Sequence, residues 1–165
     1  MIRNASVSDA KQICDIYNHY VINSTVTFEE EPVPVKEMLA RMKRLQPKFP
    51  WFVYEKDNEV HGYAYATEWR SRIAYRYTAE TTVYLKPGMQ GRGLGSLLCK
   101  ALIEEIRSYP IHTLIAGIAL PNDRSIALHE KLGFEKVAHF KEVGFKMNKW
   151  IDVGYWQLVV QNDMG

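Results

Sequence analysis

Cysteine is scarce in this chain. Cys14 and Cys99 are the only two among 165 residues, and each lies in an apolar stretch that reads as helix. That pattern points to buried thiols in a reducing compartment and not to a disulfide framework. Metal-ligand spacing is missing as well. His19, His61, His112 and His139 follow no useful interval and have no cysteine pair beside them, so no metal is expected. No run approaches the roughly 18 uncharged apolar residues of a membrane-spanning helix. The start of the chain mixes Arg3, Asp9, Lys11 and Asp15 and lacks the apolar core of a secretion signal. A charge of one sign is also absent: 21 basic residues face 19 acidic ones, a net of +2. The densest basic stretch, with Arg41, Lys43, Arg44 and Lys48, reads as a solvated helix face. Neither nucleic acid nor a membrane is therefore an expected partner, and a cytoplasmic location is expected.

What is present is a globular composition, 47% hydrophobic and 24% charged. A chain of this length buries roughly two thirds of its extended surface without staples. No repeat, low-complexity tract or linker divides it, which predicts one domain over residues 1–165. A short edge strand is predicted at 2–5. Ser6 and Ser8 then offer caps for a helix with Ala10, Ile13, Ile16, Tyr17 and Tyr20 at helical spacing. Residues 23–34 read as a loop, because Pro32 and Pro34 cannot supply the amide hydrogens of a helix interior. A second helix begins near 35, with Met38, Leu39, Met42 and Leu45 on one face.

A hairpin is predicted from 51–54 and 60–67 around the polar turn 56–59. A strand from about 75 to 85 alternates Thr81, Val83 and Leu85 with Glu80, Thr82 and Tyr84. The helix after it carries Leu94, Leu97, Leu98, Leu102 and Ile106. The apolar run 112–120 fits a strand covered on both faces. A short helix over 122–131 and a final antiparallel pair near 135–146 and 155–160 complete the order. This order predicts a mixed α/β (α+β) fold, a mostly antiparallel central sheet of about seven strands flanked on both faces by about four helices.

The most informative segment is Leu85-Lys86-Pro87-Gly88-Met89-Gln90-Gly91-Arg92-Gly93-Leu94-Gly95-Ser96. A strand ends, and three glycines lead into an amphipathic helix. Glycine permits close backbone approach, and the free amides at a helix start sit at its positive dipole end, where a pyrophosphate is stabilised. Arg92 could add a charge-assisted contact. The Gly-Lys-Ser or Gly-Lys-Thr of a nucleotide-hydrolase loop is absent. A dinucleotide fingerprint does not fit either, since the turn follows a meander. Phosphate binding and a purely structural turn both remain open on this pattern alone.

The run Gln90-Gly91-Arg92-Gly93-Leu94-Gly95 resembles the pyrophosphate-binding signature of the GNAT superfamily of N-acetyltransferases. The segment from Asn122-Asp123-Arg124-Ser125 through Leu128-His129-Glu130 to Leu132-Gly133-Phe134 resembles its second signature. Asn18-His19-Tyr20, Ser24-Thr25-Val26-Thr27-Phe28, Tyr75 with Thr78-Ala79-Glu80, Thr82-Val83-Tyr84 and Leu120-Pro121-Asn122-Asp123 narrow the match. So does the stretch 144–156. Together they are similar to the phosphinothricin and methionine sulfoximine N-acetyltransferases.

The resemblance implies acetyl-CoA held between two splayed parallel strands, here those ending near Leu85 and Leu120. Val83, Tyr84 and Leu85 would meet the pantetheine arm. Gln90, Gly91, Arg92, Gly93, Leu94, Gly95 and Ser96 would cradle the pyrophosphate, with Asn122 and Ser125 flanking the coenzyme. Glu80, in mid-strand, is either an outward or ion-paired glutamate or a carboxylate facing a cleft. The resemblance implies the second, with a general-base role. His129 takes the place of a tyrosine that serves as proton donor in wider relatives, so acid catalysis and simple packing both stand open. Phe28, Tyr75, Arg76, Tyr77 and Thr78 would border a small-molecule amine substrate, with Arg76 reaching its carboxylate from the strand. A homodimer near the final strands is implied too. A peptide acetyltransferase or a non-catalytic acetyl-CoA-binding module are the alternatives.

Overall fold

The computed structural model describes residues 1–160. The last five residues of the expected domain lie outside the described residues. The strands are β1 (Ile2–Asn4), β2 (Trp51–Lys56), β3 (Glu59–Glu68), β4 (Thr78–Leu85), β5 (Thr113–Ala119), β6 (Glu135–Lys146) and β7 (Lys149–Val159). The helices are α1 (Ala10–Asn23), α2 (Val35–Leu45), α3 (Leu94–Ile106) and α4 (Asp123–Lys131). All seven strands form one sheet in the order β1-β2-β3-β4-β5-β7-β6. Every pairing is antiparallel except that of β4 with β5. The expected mixed sheet with one parallel pair and four helices is the observed fold.

Alternation along β3 and β4 explains the two helical layers. Tyr63 and Tyr84 face the α1 side, where the Tyr84 ring lies 5.5 Å from Tyr17 and 5.2 Å from Tyr20. Gly62 and Leu85 face the opposite layer, so close to α3 that a Cβ on Gly62 would stand 3.2 Å from Leu98. Helix α1 buries Ile13, Cys14 and Ile16, and α3 buries Leu98, Leu102 and Ile106. Each such side chain contributes about 1.5–3 kcal/mol by leaving water. Ahead of α1, Asp9 and not a serine hydroxyl closes the turn: its carboxylate accepts from the Ser6 amide at 2.7 Å and from both Arg3 Nη atoms at 2.8 Å.

Two boundaries and one internal irregularity depart from expectation. Strand β4 starts at Thr78 and not at 75, because Ile73–Tyr75 is a 3₁₀ turn closed by Tyr75 N–H to Arg72 and Arg76 N–H to Ile73. Strand β7 starts at Lys149, six positions ahead of the expected 155. Its hairpin with β6 turns through Met147 and Asn148, both at positive φ (52° and 59°). That is the backbone of a two-residue type I′ turn, usually announced by Asn-Gly or Asp-Gly, and methionine hides it. Third, β6 carries a bulge between Phe140 and Gly144, with Glu142 at φ 53°.

Candidate active site

The parallel pair β4–β5 is joined only at Thr78–Thr113, Ala79–Leu114 and Glu80–Ile115. Beyond Glu80 the two strands part, and a cleft of about 860 Å³ opens between them. Lys86 N–H donates to the His61 carbonyl, in register with Gly62 opposite Leu85. Because bonded and non-bonded pairs alternate in an antiparallel ladder, residues 80, 82 and 84 bond back to β3. The backbone groups of Thr81, Val83 and Leu85 therefore point into the cleft. The Leu85 carbonyl already accepts from the Tyr20 hydroxyl. Tyr20 in turn accepts from Gln90 Nε2 at 3.0 Å, and Gln90 Oε1 accepts from the Gly88 amide at 3.0 Å. This chain of bonds fixes the glycine turn to α1.

Gly91 and Gly93 have φ of 77° and 78°, and a Cβ on either would meet nothing within 4 Å. Their glycine requirement is thus set by backbone conformation, and the space in front of them is open. Gly93 is the N-cap of α3, so the first amides of α3 face that space without a side-chain cap. Across the cleft, α4 follows a cis Leu120–Pro121 peptide and is capped by Asn122, whose side chain accepts from Ser125 N–H at 3.2 Å.

Glu80 stands where the strands part. Its carboxylate has no hydrogen-bond or ion-pair partner among the described residues, and burial holds its pKa above the usual carboxylate range, with the positive charge of Arg70 acting against that rise. Opposite it, Gly117 leaves room: a Cβ there would lie 3.3 Å from Glu80 Oε1 and 3.2 Å from the Tyr155 ring. His129 is 4% exposed and holds Nδ1 2.7 Å from the Ser125 carbonyl. A carbonyl only accepts, so Nδ1 carries the proton, and burial lowers the imidazole pKa. The ring is neutral, with a lone pair on Nε2. Neither thiol is activated. Burial pushes Cys99 up to about 12 and also raises Cys14. Among the described residues no group of three or more His, Cys, Asp or Glu could hold a metal ion, and no helix is long and apolar enough to cross a membrane.

Residues 2–154 match the family model for the acetyltransferase (GNAT) domain. The chain belongs to the GNAT acetyltransferases. It is 42% identical to the phosphinothricin N-acetyltransferase of Streptomyces viridochromogenes, over 94% of this chain and 85% of that one. It is 39% identical to the L-methionine sulfoximine/L-methionine sulfone acetyltransferase of Salmonella typhimurium, over 95% and 92%. Among solved structures it resembles the GNAT superfamily phosphinothricin acetyltransferase of Sinorhizobium meliloti in complex with acetyl-CoA. That match has a TM-score of 0.95 at 34% identity and covers 99% of this chain and 90% of that one.

Within this GNAT domain, most of the residues singled out from sequence line the same cleft. These are Phe28, Glu80, Val83, Tyr84, Leu85, Gln90, Gly91, Gly93, Gly95, Ser96, Asn122, Ser125 and His129. The remainder do not line it. Leu94 is 7% exposed and packs into the core, and Arg92 is exposed outside the lining. Tyr75, Arg76, Tyr77 and Thr78 also lie outside it. Arg76 is not on the strand: it follows the 3₁₀ turn, bonds the Ile73 carbonyl at 3.1 Å and lies over the Tyr77 ring at 4.3 Å. Arg70 is the arginine whose charge acts on Glu80, and it was not anticipated. Tyr20, Gly117, Val143 and Tyr155 are further lining residues that sequence reasoning missed. Gly117 had a usable signal, since an isolated glycine inside a strand often marks a close approach.

Proposed function

We propose that this GNAT enzyme moves the acetyl group of acetyl-CoA to the primary amine of a small amino-acid-like substrate. The type is that of phosphinothricin, methionine sulfoximine or methionine sulfone. The observation that carries this reading is Glu80, a carboxylate without a partner at the point where β4 and β5 separate, facing an open cleft. The cleft suits the coenzyme: the backbone edge at Thr81 and Val83 is free to pair with an extended amide-bearing arm. The positive-φ glycines and uncapped α3 amides suit a pyrophosphate. Bound acetyl-CoA would supply the activated acetyl thioester.

The chain's own groups do the rest. An ammonium must lose a proton before its nitrogen can attack. Glu80 accepts that proton, directly or through water, and its burial-raised pKa brings it nearer to the amine's. With no activated cysteine in the cleft, transfer is direct within a ternary complex. The amine nitrogen would bond the acetyl carbon as the carbon–sulfur bond breaks, and the coenzyme would leave as the thiol, taking the second proton that the nitrogen loses. His129 presents an acceptor at Nε2, so its proposed part is to pack α4 against the cleft and receive a hydrogen bond. Proton donation to the leaving sulfur does not suit that tautomer. Arg70, an exposed residue outside the cleft lining whose charge nonetheless reaches Glu80, is the proposed partner of the substrate carboxylate in place of Arg76. The enzyme is proposed to work in the cytoplasm as a homodimer.

The test is a thiol-release assay with methionine sulfone, methionine sulfoximine, phosphinothricin, free amino acids and a peptide-amine set. Turnover of the first three above the peptides is expected. Inactivity toward every small amine would overturn the assignment.

A further inference from the structure

β6 is an edge strand of twelve residues, and only two of them are buried, Gly144 and Lys146. Two positions apart, they share a face. The same short segment of chain covers both. The Phe28 ring lies against Gly144, where a Cβ would be 2.6 Å from Phe28 Cε2. Lys146 Nζ donates to the Thr27 carbonyl at 2.8 Å, and the residue is 3% exposed. A buried ammonium is a costly way to hold a loop unless its placement matters. The next residue is fastened from the other side: Arg41 grips Glu29 with Nη1–Oε2 of 3.0 Å and Nη2–Oε1 of 2.6 Å, and Tyr17 donates to the same carboxylate. The Tyr17 hydroxyl also lies 2.8 Å from Thr27 Oγ1. Residues 27, 28 and 29 are thereby fixed in succession, while Val26, Thr27 and Phe28 line the cleft beside Glu80.

We infer that Gly144 and Lys146 form a clasp on β6 that seats the Thr27–Phe28 wall and so sets the depth of the amine pocket. Lys146 is a positioning residue, and Gly144 determines which substrate side chains fit. The inference rests on the small-amine reading above. The glycine lets the Phe28 ring sink onto the strand, and the ammonium holds the backbone just before it. An added Cβ at 144 pushes the ring outward. Loss of the ammonium leaves the Thr27 carbonyl buried without its donor, and the segment loosens.

The experiment compares Gly144→Ala, Lys146→Met and Lys146→Arg with the unaltered enzyme. In Lys146→Met, amide exchange across residues 24–31 is expected to quicken at least tenfold, with β7 unchanged, and Lys146→Arg restores protection in part. With methionine sulfone, KM for the amine rises fivefold or more in Lys146→Met, while KM for acetyl-CoA stays within twofold. Gly144→Ala changes the ranking of short against long amino-acid side chains without altering acetyl-CoA affinity. Unchanged exchange in Lys146→Met, or equal rises in both KM values, overturns the clasp. If the unaltered enzyme acetylates none of the small amines, the functional reading fails instead, and the exchange measurement alone decides the clasp.

Discussion

Glu80 was legible through the family resemblance: its place within a strand left an outward glutamate and a cleft-facing carboxylate both open, and the resemblance chose the second. Lys146 was not, since its role depends on a neighbour far away in the chain: it meets Thr27 across 119 positions. Glu80→Gln keeps the shape and removes the charge. Turnover at neutral pH is expected to fall about 10²- to 10⁴-fold, with acetyl-CoA binding nearly intact and partial recovery at higher pH, where more amine arrives neutral. The folded-state pKa of Glu80 is raised. Its contribution to stability is therefore present below the unfolded pKa and lost as pH rises through the folded one. At neutral pH the ionised side chain is a net cost, so Glu80→Gln should melt above the parent at pH 7.5 and converge with it near pH 4. pH–rate profiles that run parallel within threefold would assign Glu80 to structure. At Gly93 the constraint is φ of 78°, which costs an L-residue about 1–2 kcal/mol. Gly93→Val should lower Tm by roughly 2–8 °C and weaken acetyl-CoA binding tenfold or more by calorimetry. Unchanged affinity in the folded variant would leave the turn a structural feature only.

The elements were readable where periodicity is long and the turn chemistry is ordinary. Helix α2 and the β2–β3 hairpin, which turns at Asp57 and Asn58 with φ of 53° and 63°, fall where the pattern puts them. The Met147–Asn148 turn and the 3₁₀ turn before β4 do not, because methionine stands where a turn-forming residue is usual and Ile73-Ala74-Tyr75 carries no turn former at all. The parting of β4 from β5 left no local trace either, apart from Gly117. It emerges only when the ladder stops at Glu80. The bonds from Tyr20 to Leu85 and Gln90 tie α1 to the turn ahead of α3, linking three elements that sequence spacing keeps apart. Tyr20→Phe removes both bonds and leaves the ring packed on Tyr84. A net loss of about 1 kcal/mol per bond predicts that acetyl-CoA dissociation constants rise about 5- to 30-fold, while the amine KM moves less than twofold. Calorimetry and steady-state kinetics together check this. An unaltered coenzyme affinity would mean that the turn holds its shape without α1.

At the scale of the whole molecule, the two edges of the sheet are unlike each other. β1 is three residues long, too short to recruit another chain, whereas β6 runs for twelve. Long edges invite pairing unless they are charged or covered. Here Phe145 and Trp150 are 52% and 64% exposed, and their rings meet at a tilt of 56° with centroids 4.8 Å apart. Exposed aromatic side chains grouped in this way are what an association face would offer, and small homo-oligomers favour twofold symmetry, in which one face meets its own copy. The clasp that seats Phe28 uses the buried side of β6, so the outer side can be altered without touching Gly144 or Lys146. Sedimentation at tens of micromolar should therefore find a species of twice 19.1 kDa. Trp150→Glu should raise the dimer dissociation constant about 30-fold or more, as removal of a central aromatic anchor costs about 2 kcal/mol or above, with Tm changed little in the monomer. A 19.1 kDa species alone in the unaltered protein at that concentration would show that the aromatic edge stays open to solvent.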